Sequence, residues 1–210
     1  MARAEHPMQA LSAFLPDGSF EQVVAYIQHY RVHLTITKKR KSVLGDYRHP
    51  VMGKNHRITV NGDLNKYEFL LTLLHELAHL LTFEQYRNRV EAHGAEWKAC
   101  YSNLLIQFVE KGIFPDDIKA ALHRCIMNPA ATANGETDLL LVLRKYNTRQ
   151  NGLIPVADIP AGRLFQTENG RVFMKGLLRR KRFECVEVKS GLRYSFSAVT
   201  EVRLLDILPT

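Results

Sequence analysis

Cysteine is scarce in this chain. Among 210 residues only Cys100, Cys125 and Cys185 occur, an odd number, far apart and with no C-x-x-C pair. That excludes a disulfide framework and a cysteine-built zinc site, and it fits a reducing compartment. Long apolar runs are missing too: none approaches the roughly 20 residues of a membrane span. The first residues, MARAEHPMQALSAFLP, have no long apolar core of the secretory kind, so a cytoplasmic protein without membrane association is expected. Acidic residues are the minority, 21 against 29 Lys and Arg, which leaves a formal net charge of +8 and an isoelectric point near 9.5. Such a balance favours an anionic partner such as nucleic acid. With 46% hydrophobic and 24% charged residues the composition is that of a globular chain, long enough for one domain with an appendage or for two small domains.

What the chain does contain is H-E-x-x-H. His75, Glu76 and His79 sit inside FLLTLLHELAHLLTFEQYRNRVEAHGAEW, residues 69–97. On an α-helix, residues four apart differ by about 40° in azimuth and about 6 Å along the axis, so His75 and His79 leave one face and can grip one metal ion. Glu76 is turned about 100° from His75, beside such an ion rather than on it. A zinc ion held by three side chains keeps a position for water and lowers that water's pKa to about 7, and a neighbouring carboxylate can act as the base. Phe69, Leu70, Leu73, Leu74, Leu77, Ala78, Leu80 and Leu81 make the helix apolar on nearly all sides, so it is expected to be buried. A core helix whose histidines merely bond to neighbours is the plainer reading. The five-residue pattern on a helix of this kind favours the metal.

The third ligand is open on spacing alone. His93 lies in HGAEW, where Trp97, Cys100, Leu104, Leu105 and Phe108 begin a second helical pattern that ends near Gly112 and Pro115. Glu91 and Glu96 compete with it, and either would make a two-His, one-carboxylate site. A nuclease pattern with a third His six residues after the second is excluded, because that position is Gln85.

HELAH followed by HGAEW, and preceded by HRITVNGDLN, resembles the SprT-like family, which includes the Spartan proteases. The resemblance covers roughly residues 20–125. It implies His75, His79 and His93 as zinc ligands and Glu76 as catalytic base, and it assigns Asn61 a structural place near a strand end. It further implies an α+β fold with a zincin-like core of the minigluzincin type over residues 1–135: a helix, a small antiparallel sheet, the HExxH helix and further helices. Many family members carry a four-cysteine zinc ribbon, which this chain lacks. Residues 136–210 are then expected to form a linker helix and a small all-β module, SH3-like or ribbon-like.

The remaining elements follow from periodicity and turn residues. Phe20, Val23, Val24, Ile27 and Tyr30 mark an amphipathic helix capped by Asp17 or Ser19. HLTITKK, GDYRHPV and HRITV read as short strands of an antiparallel sheet, with Gly45 and Gly53 at or near turns. A sheet edge beside the metal helix would hold an extended substrate by strand addition. Asn65 with Glu68 resembles a capping box for the metal helix. Residues 115–127 form a third helix with Ile118, Leu122 and Ile126 on one face, and NPAATANGE is the linker. RLFQT, RVFMK, KRFECVEV, LRYSF and VTEVRLL are strands, with Asn169-Gly170 and Ser190-Gly191 as turns. Phe183 and Cys185 alternate against Val186 and Val188, which requires a bulge or two covered faces.

Two basic runs, Lys38, Lys39, Arg40 and Lys41, and Arg179, Arg180, Lys181 and Arg182, lie beside strands and suit phosphates. The expected function is a zinc-dependent endopeptidase acting on proteins at or near DNA, single-stranded or damaged, as the resemblance implies. Tyr47, His56, Tyr86 and Arg87 are the possible donors to an oxyanion. The alternatives are a nucleic-acid-binding protein with a structural zinc site, and a scaffold whose C-terminal module recruits a partner.

Overall fold

The structure, a computed structural model, describes residues 8–40, 43–51, 53–127, 129, 137–147 and 152–206. It is a mixed α+β protein with two sheets, and it divides into two compact units, 1–146 and 147–210.

In the first unit, α1 (Phe20–His29) buries Val23, Val24 and Ile27. The hydroxyl of Ser19 donates to the Pro16 carbonyl instead of capping α1. Strands β1 (His33–Thr37), β2 (Gly45–Arg48) and β3 (Arg57–Asn61) form a three-stranded sheet in the order β1-β3-β2. The expected all-antiparallel sheet is corrected here: β2 runs antiparallel to β3, but β1 runs parallel to it. Neighbouring short strands ordinarily close as hairpins. In this chain β1 and β2 instead lie on opposite edges with β3 between them, and buried Asn61 ties down described residues of the connection that crosses the sheet. Its Oδ1 accepts from Arg40 Nε at 2.8 Å and from the Thr37 hydroxyl at 3.1 Å, while Nδ2 donates to the carbonyls of Arg40 and Val43.

Next comes α2 (Lys66–Tyr86), 21 residues and about 31 Å long. Asn65 caps it, its Oδ1 accepting from the amides of Tyr67 and Glu68. This helix packs against β2 and β3 and also against α3 (Ala95–Glu110), which is why its apolar residues are not confined to one stripe. On α3 the buried positions are Trp97, Tyr101, Leu104, Leu105 and Phe108, with Tyr101 rather than Cys100 facing inward. On α4 (Asp116–Met127) they are Ile118, Ala121, Leu122 and Cys125, not Ile126. The stretch read as a linker lies mostly outside the described residues.

The first unit runs to Tyr146 and takes in α5 (Thr137–Arg144). The Tyr146 hydroxyl donates to Asp117, Asn65 Nδ2 donates to the Leu143 carbonyl, and Tyr146 packs edge-on to Tyr67.

The second unit is a six-stranded antiparallel sheet, ordered β4-β9-β5-β6-β7-β8. Its strands are β4 (Leu153–Pro155), β5 (Leu164–Gln166), β6 (Val172–Arg179), β7 (Arg182–Glu187), β8 (Arg193–Ser197) and β9 (Glu201–Leu205). Strand β4, three residues ending in proline, carries too little pattern to be read from sequence. The core is Val156, Ile159, Phe165, Phe173, Cys185 and Val202. Strand β7 alternates regularly, with Cys185 and Glu187 inward and Val186 half-buried on the other face, and the bulge lies on its partner β6, between Lys175 and Leu178. A Cβ at Gly176 would collide with the Glu184 carbonyl oxygen, so only glycine fits there. Val188 is exposed, and Glu187 takes the inward place, paired with Arg171 at 2.6 Å. Among the described residues no helix is long and apolar enough to cross a membrane.

Asn61→Ala would take a partner from Arg40 Nε and from two carbonyls at once. It is expected to lower stability by about 2–3 kcal/mol, read as a lower urea midpoint at unchanged slope. A loss under about 0.5 kcal/mol would mean that the crossing loop is held elsewhere.

Candidate metal centre

Two imidazoles come from one helix face and the third from the start of the next helix. After α2 the chain turns through residues 87–94. Gly94 donates its amide to the Glu91 carbonyl, its own carbonyl accepts from Lys98, and α3 starts behind it. A Cβ at Gly94 would press on Glu96 Oε2 at 3.2 Å and on Glu91 Cβ at 3.3 Å, so glycine after His93 lets this turn close tightly. The turn brings His93 to the two helical histidines. One nitrogen from each of His75, His79 and His93 lies within 4.8 Å of the other two, and the Nε2 atoms of His93 and His75 are 3.3 Å apart. Glu91 and Glu96 stay outside that group.

Trp97, fully buried, is the wall of the centre. Its ring lies 4.7 Å from His75, 5.3 Å from His79 and 4.6 Å from His93, centroid to centroid. Out of water, the imidazoles resist protonation. Burial first, then the proximity of His79 and His93, pulls His75 down to about 3, and burial followed by His93 pulls His79 down to about 4. Burial lowers His93 as well. Three neutral rings thus aim lone pairs at one another, and a proton shared by one pair leaves the third nitrogen unsatisfied. A divalent cation satisfies all three together, so the donor set fits a borderline-soft metal that takes nitrogen ligands.

Glu76 stands beside this group rather than in it. The helix turns its carboxyl towards the sheet, where the backbone of Gly45 lies against it: a Cβ at Gly45 would come within 2.6 Å of Glu76 Oε1 and 2.8 Å of Thr72 Cγ2. Gly45, expected at or near a turn, opens β2 and lets an edge strand lie directly on the carboxyl. Burial pushes Glu76 up to about 8, the Asp46 charge adds to the rise, and Arg40 opposes it. A carboxyl poised there can both accept and return a proton near neutrality.

The basic residues have separate fates. Lys38 and Lys39 are exposed, and Lys39 sits 3.8 Å from Asp63. Arg40 is turned inward, bonded to Asn61, Thr59 and the Leu44 carbonyl, because the crossing loop needs its donors; it is not a free phosphate ligand. Lys41 lies outside the described residues. Arg179, Arg180, Lys181 and Arg182 form the exposed β6–β7 hairpin tip, with Arg179 opposite Arg182 and Arg180 in the left-handed region at φ 57°. Arg182 also donates to Ser195.

Three converging imidazoles, a carboxyl on the same helix one residue from the first of them, and an edge strand along the row define a metallopeptidase-like centre. The model of the SprT-like family matches residues 11–111, which hold the three-stranded sheet and every residue of the centre, and this segment belongs to that family. Membership points to a metallopeptidase-like function. No curated protein and no solved structure matches the chain.

Because the Glu76 carboxyl is raised in the fold, the stability it contributes is present below the unfolded value of about 4.5 and lost as pH rises to about 8. In metal-free protein, Glu76→Gln should therefore melt like wild type near pH 4.5, gain on it progressively up to about pH 8, and hold a constant lead above. A lead independent of pH would contradict this burial.

Proposed function

We propose that the chain is a zinc-dependent endopeptidase of the SprT-like type with a zincin-like core, acting on proteins at or near DNA in a reducing, cytoplasmic setting. The observation that carries the reading is the three-histidine cluster with Glu76 held beside it but outside it. His75, His79 and His93 would hold the ion, which when bound supplies Lewis-acid polarisation of water and of the scissile carbonyl. Glu76 takes a proton from the attacking water and delivers it to the leaving amine, a task that its raised pKa suits. Strand β2 is an edge of its sheet, so its outer backbone groups can pair with an extended polypeptide and lay it along the row from Glu76 to His79.

Association with DNA is supported by charge. The net charge is +8, and the β6–β7 tip presents four basic side chains to solvent beside Leu177 and Leu178, which are 66% and 54% exposed. We read the second unit, SH3-like in strand content, as the nucleic-acid-facing module and Arg179–Arg182 as its phosphate ligands, with Lys38 and Lys39 as further candidates.

Bound metal and cleavage of a basic DNA-binding protein, each measured with and without single-stranded DNA, test the peptidase. Wild type should hold one zinc and cut. Glu76→Gln should keep the zinc and lose activity by about 10²–10⁴-fold. His93→Ala should lose the metal; retention would remove His93 from the ligand set and bring Glu91 or Glu96 forward. Zinc held through His93 with no cleavage under any condition would favour a binding protein with a structural site.

Salt titration of DNA binding tests the basic tip. Replacing Arg179, Arg180, Lys181 and Arg182 by neutral residues should flatten the slope of log K against log salt by about one unit for each phosphate that is no longer neutralised. An unchanged slope would clear this hairpin of the role.

A further inference from the structure

A line of four side chains leads away from the histidines. The Tyr47 ring lies parallel to that of His79, centroids 6.4 Å apart and planes within 4°. The Tyr47 hydroxyl is 3.0 Å from His56 Nδ1, His56 Nε2 is 3.2 Å from Glu84 Oε1, and Arg87 donates to the same Glu84 oxygen at 2.8 Å. Three separate pieces of chain supply it: β2, the residue before β3, and the last turn of α2 with its cap. At that cap the backbone of Arg87 is in the left-handed region at φ 55°, a strain that a non-glycine residue adopts only when its surroundings hold it.

The line fixes where the protons are. The Glu84 carboxylate, paired with Arg87, can only accept, so His56 carries its hydrogen on Nε2. Nδ1 is then bare and accepts from the Tyr47 hydroxyl. His56 is 7% exposed, and both its nitrogens are engaged within the protein. Tyr47 therefore keeps one donor hydrogen on a hydroxyl that is free to swing about its C–O bond.

Its position suits a reacting carbonyl. Gly45 and Tyr47 are two residues apart on β2 and share a face, about 7 Å apart along the strand. Gly45 meets Glu76 and Tyr47 meets His79, so the base stands at one end of the histidine row and the phenol at the other. Other possible donors are otherwise committed: Arg87 to Glu84 and the Phe83 ring, His56 at both nitrogens. Among the described residues no ring contact joins Tyr86 to the imidazoles.

We propose that Tyr47 is the oxyanion-stabilising donor of this centre and that His56, Glu84 and Arg87 are its positioning residues, a role that rests on the peptidase reading above. As the water oxygen bonds to the scissile carbon, the carbonyl π pair moves onto its oxygen. The Tyr47 hydroxyl turns from His56 Nδ1 to that oxygen and donates a hydrogen bond without losing its proton. When the C–N bond breaks, the pair returns to re-form C=O, the amine leaves with the proton carried by Glu76, and Tyr47 turns back to His56. Because a neutral acceptor is exchanged for a charged one only as the charge develops, the interaction favours the transition state over bound substrate.

The test uses the zinc-loaded full chain, wild type and Tyr47→Phe, which keeps the ring and removes the hydroxyl. Two probes are titrated by calorimetry: a phosphinic pseudopeptide, whose tetrahedral oxygens stand in for the oxyanion, and a peptide hydroxamate, which grips a metal through its own two oxygens. Tyr47→Phe should bind the phosphinate about 10²-fold more weakly while zinc content and hydroxamate affinity hold. Equal phosphinate affinity in the two proteins overturns the proposal. If wild type binds neither probe, the peptidase reading has failed and the proposal falls with it. Independently of any ligand, ¹⁵N spectra of the His56 ring should show the Nε2–H tautomer; an Nδ1–H tautomer overturns the positioning role.

Discussion

Keeping two imidazoles and a carboxyl of one apolar helix out of water, with a third imidazole brought to them by the turn that follows, is the constraint on which the first unit depends. Each of these groups loses hydration, and each responds by favouring its neutral form: His75 and His79 fall well below their ordinary range, His93 is lowered too, and Glu76 rises well above its own. A helix that carries most of them must be covered on more than one side, so α2 has the sheet against it on one hand and α3 on another. Trp97 touches all three imidazoles, and Gly45 is glycine because β2 must pass directly over Glu76.

The same constraint reaches into the loops. Strand β2 can lie over Glu76 only if the chain crosses the sheet after β1, and that crossing is held by Asn61 and Arg40. A residue that looks like one of four adjacent phosphate ligands is thus a structural brace, and its charge still bears on Glu76. The second unit handles buried charge in its own way. Lys175 is 5% exposed, its ammonium donates to the carbonyls of Ala157 and Ile159, and it lies 4.1 Å from the centre of the Phe183 ring. Glu187 is matched by Arg171.

The legible part of the site was the local part. H-E-x-x-H fixes the relation of His75, Glu76 and His79 within two helical turns, so the helix, its burial and its Asn65 cap could all be read from residues 65–81. His93 lies across a turn. Spacing left it level with Glu91 and Glu96, and only the family resemblance chose it. What stayed hidden depends on contacts between distant segments: the parallel pairing of β1 with β3, the inward turn of Arg40 and the pressure of Gly45 on Glu76. In the second unit the turns at Gly170 and Gly191, with φ 82° and 70°, were readable because positive φ selects glycine. The alternation of Phe183, Cys185, Val186 and Val188 left a bulge in β7 open, whereas the bulge lies across from it on β6, beside Gly176.

The convergence of His75, His79 and His93 on a single ion is the central claim, and X-ray absorption at the zinc edge of the loaded protein tests it most directly. The account predicts three imidazole nitrogens and a further light atom at about 2.0–2.1 Å, with no sulfur. A shell with two imidazoles, or with sulfur at about 2.3 Å, would contradict it.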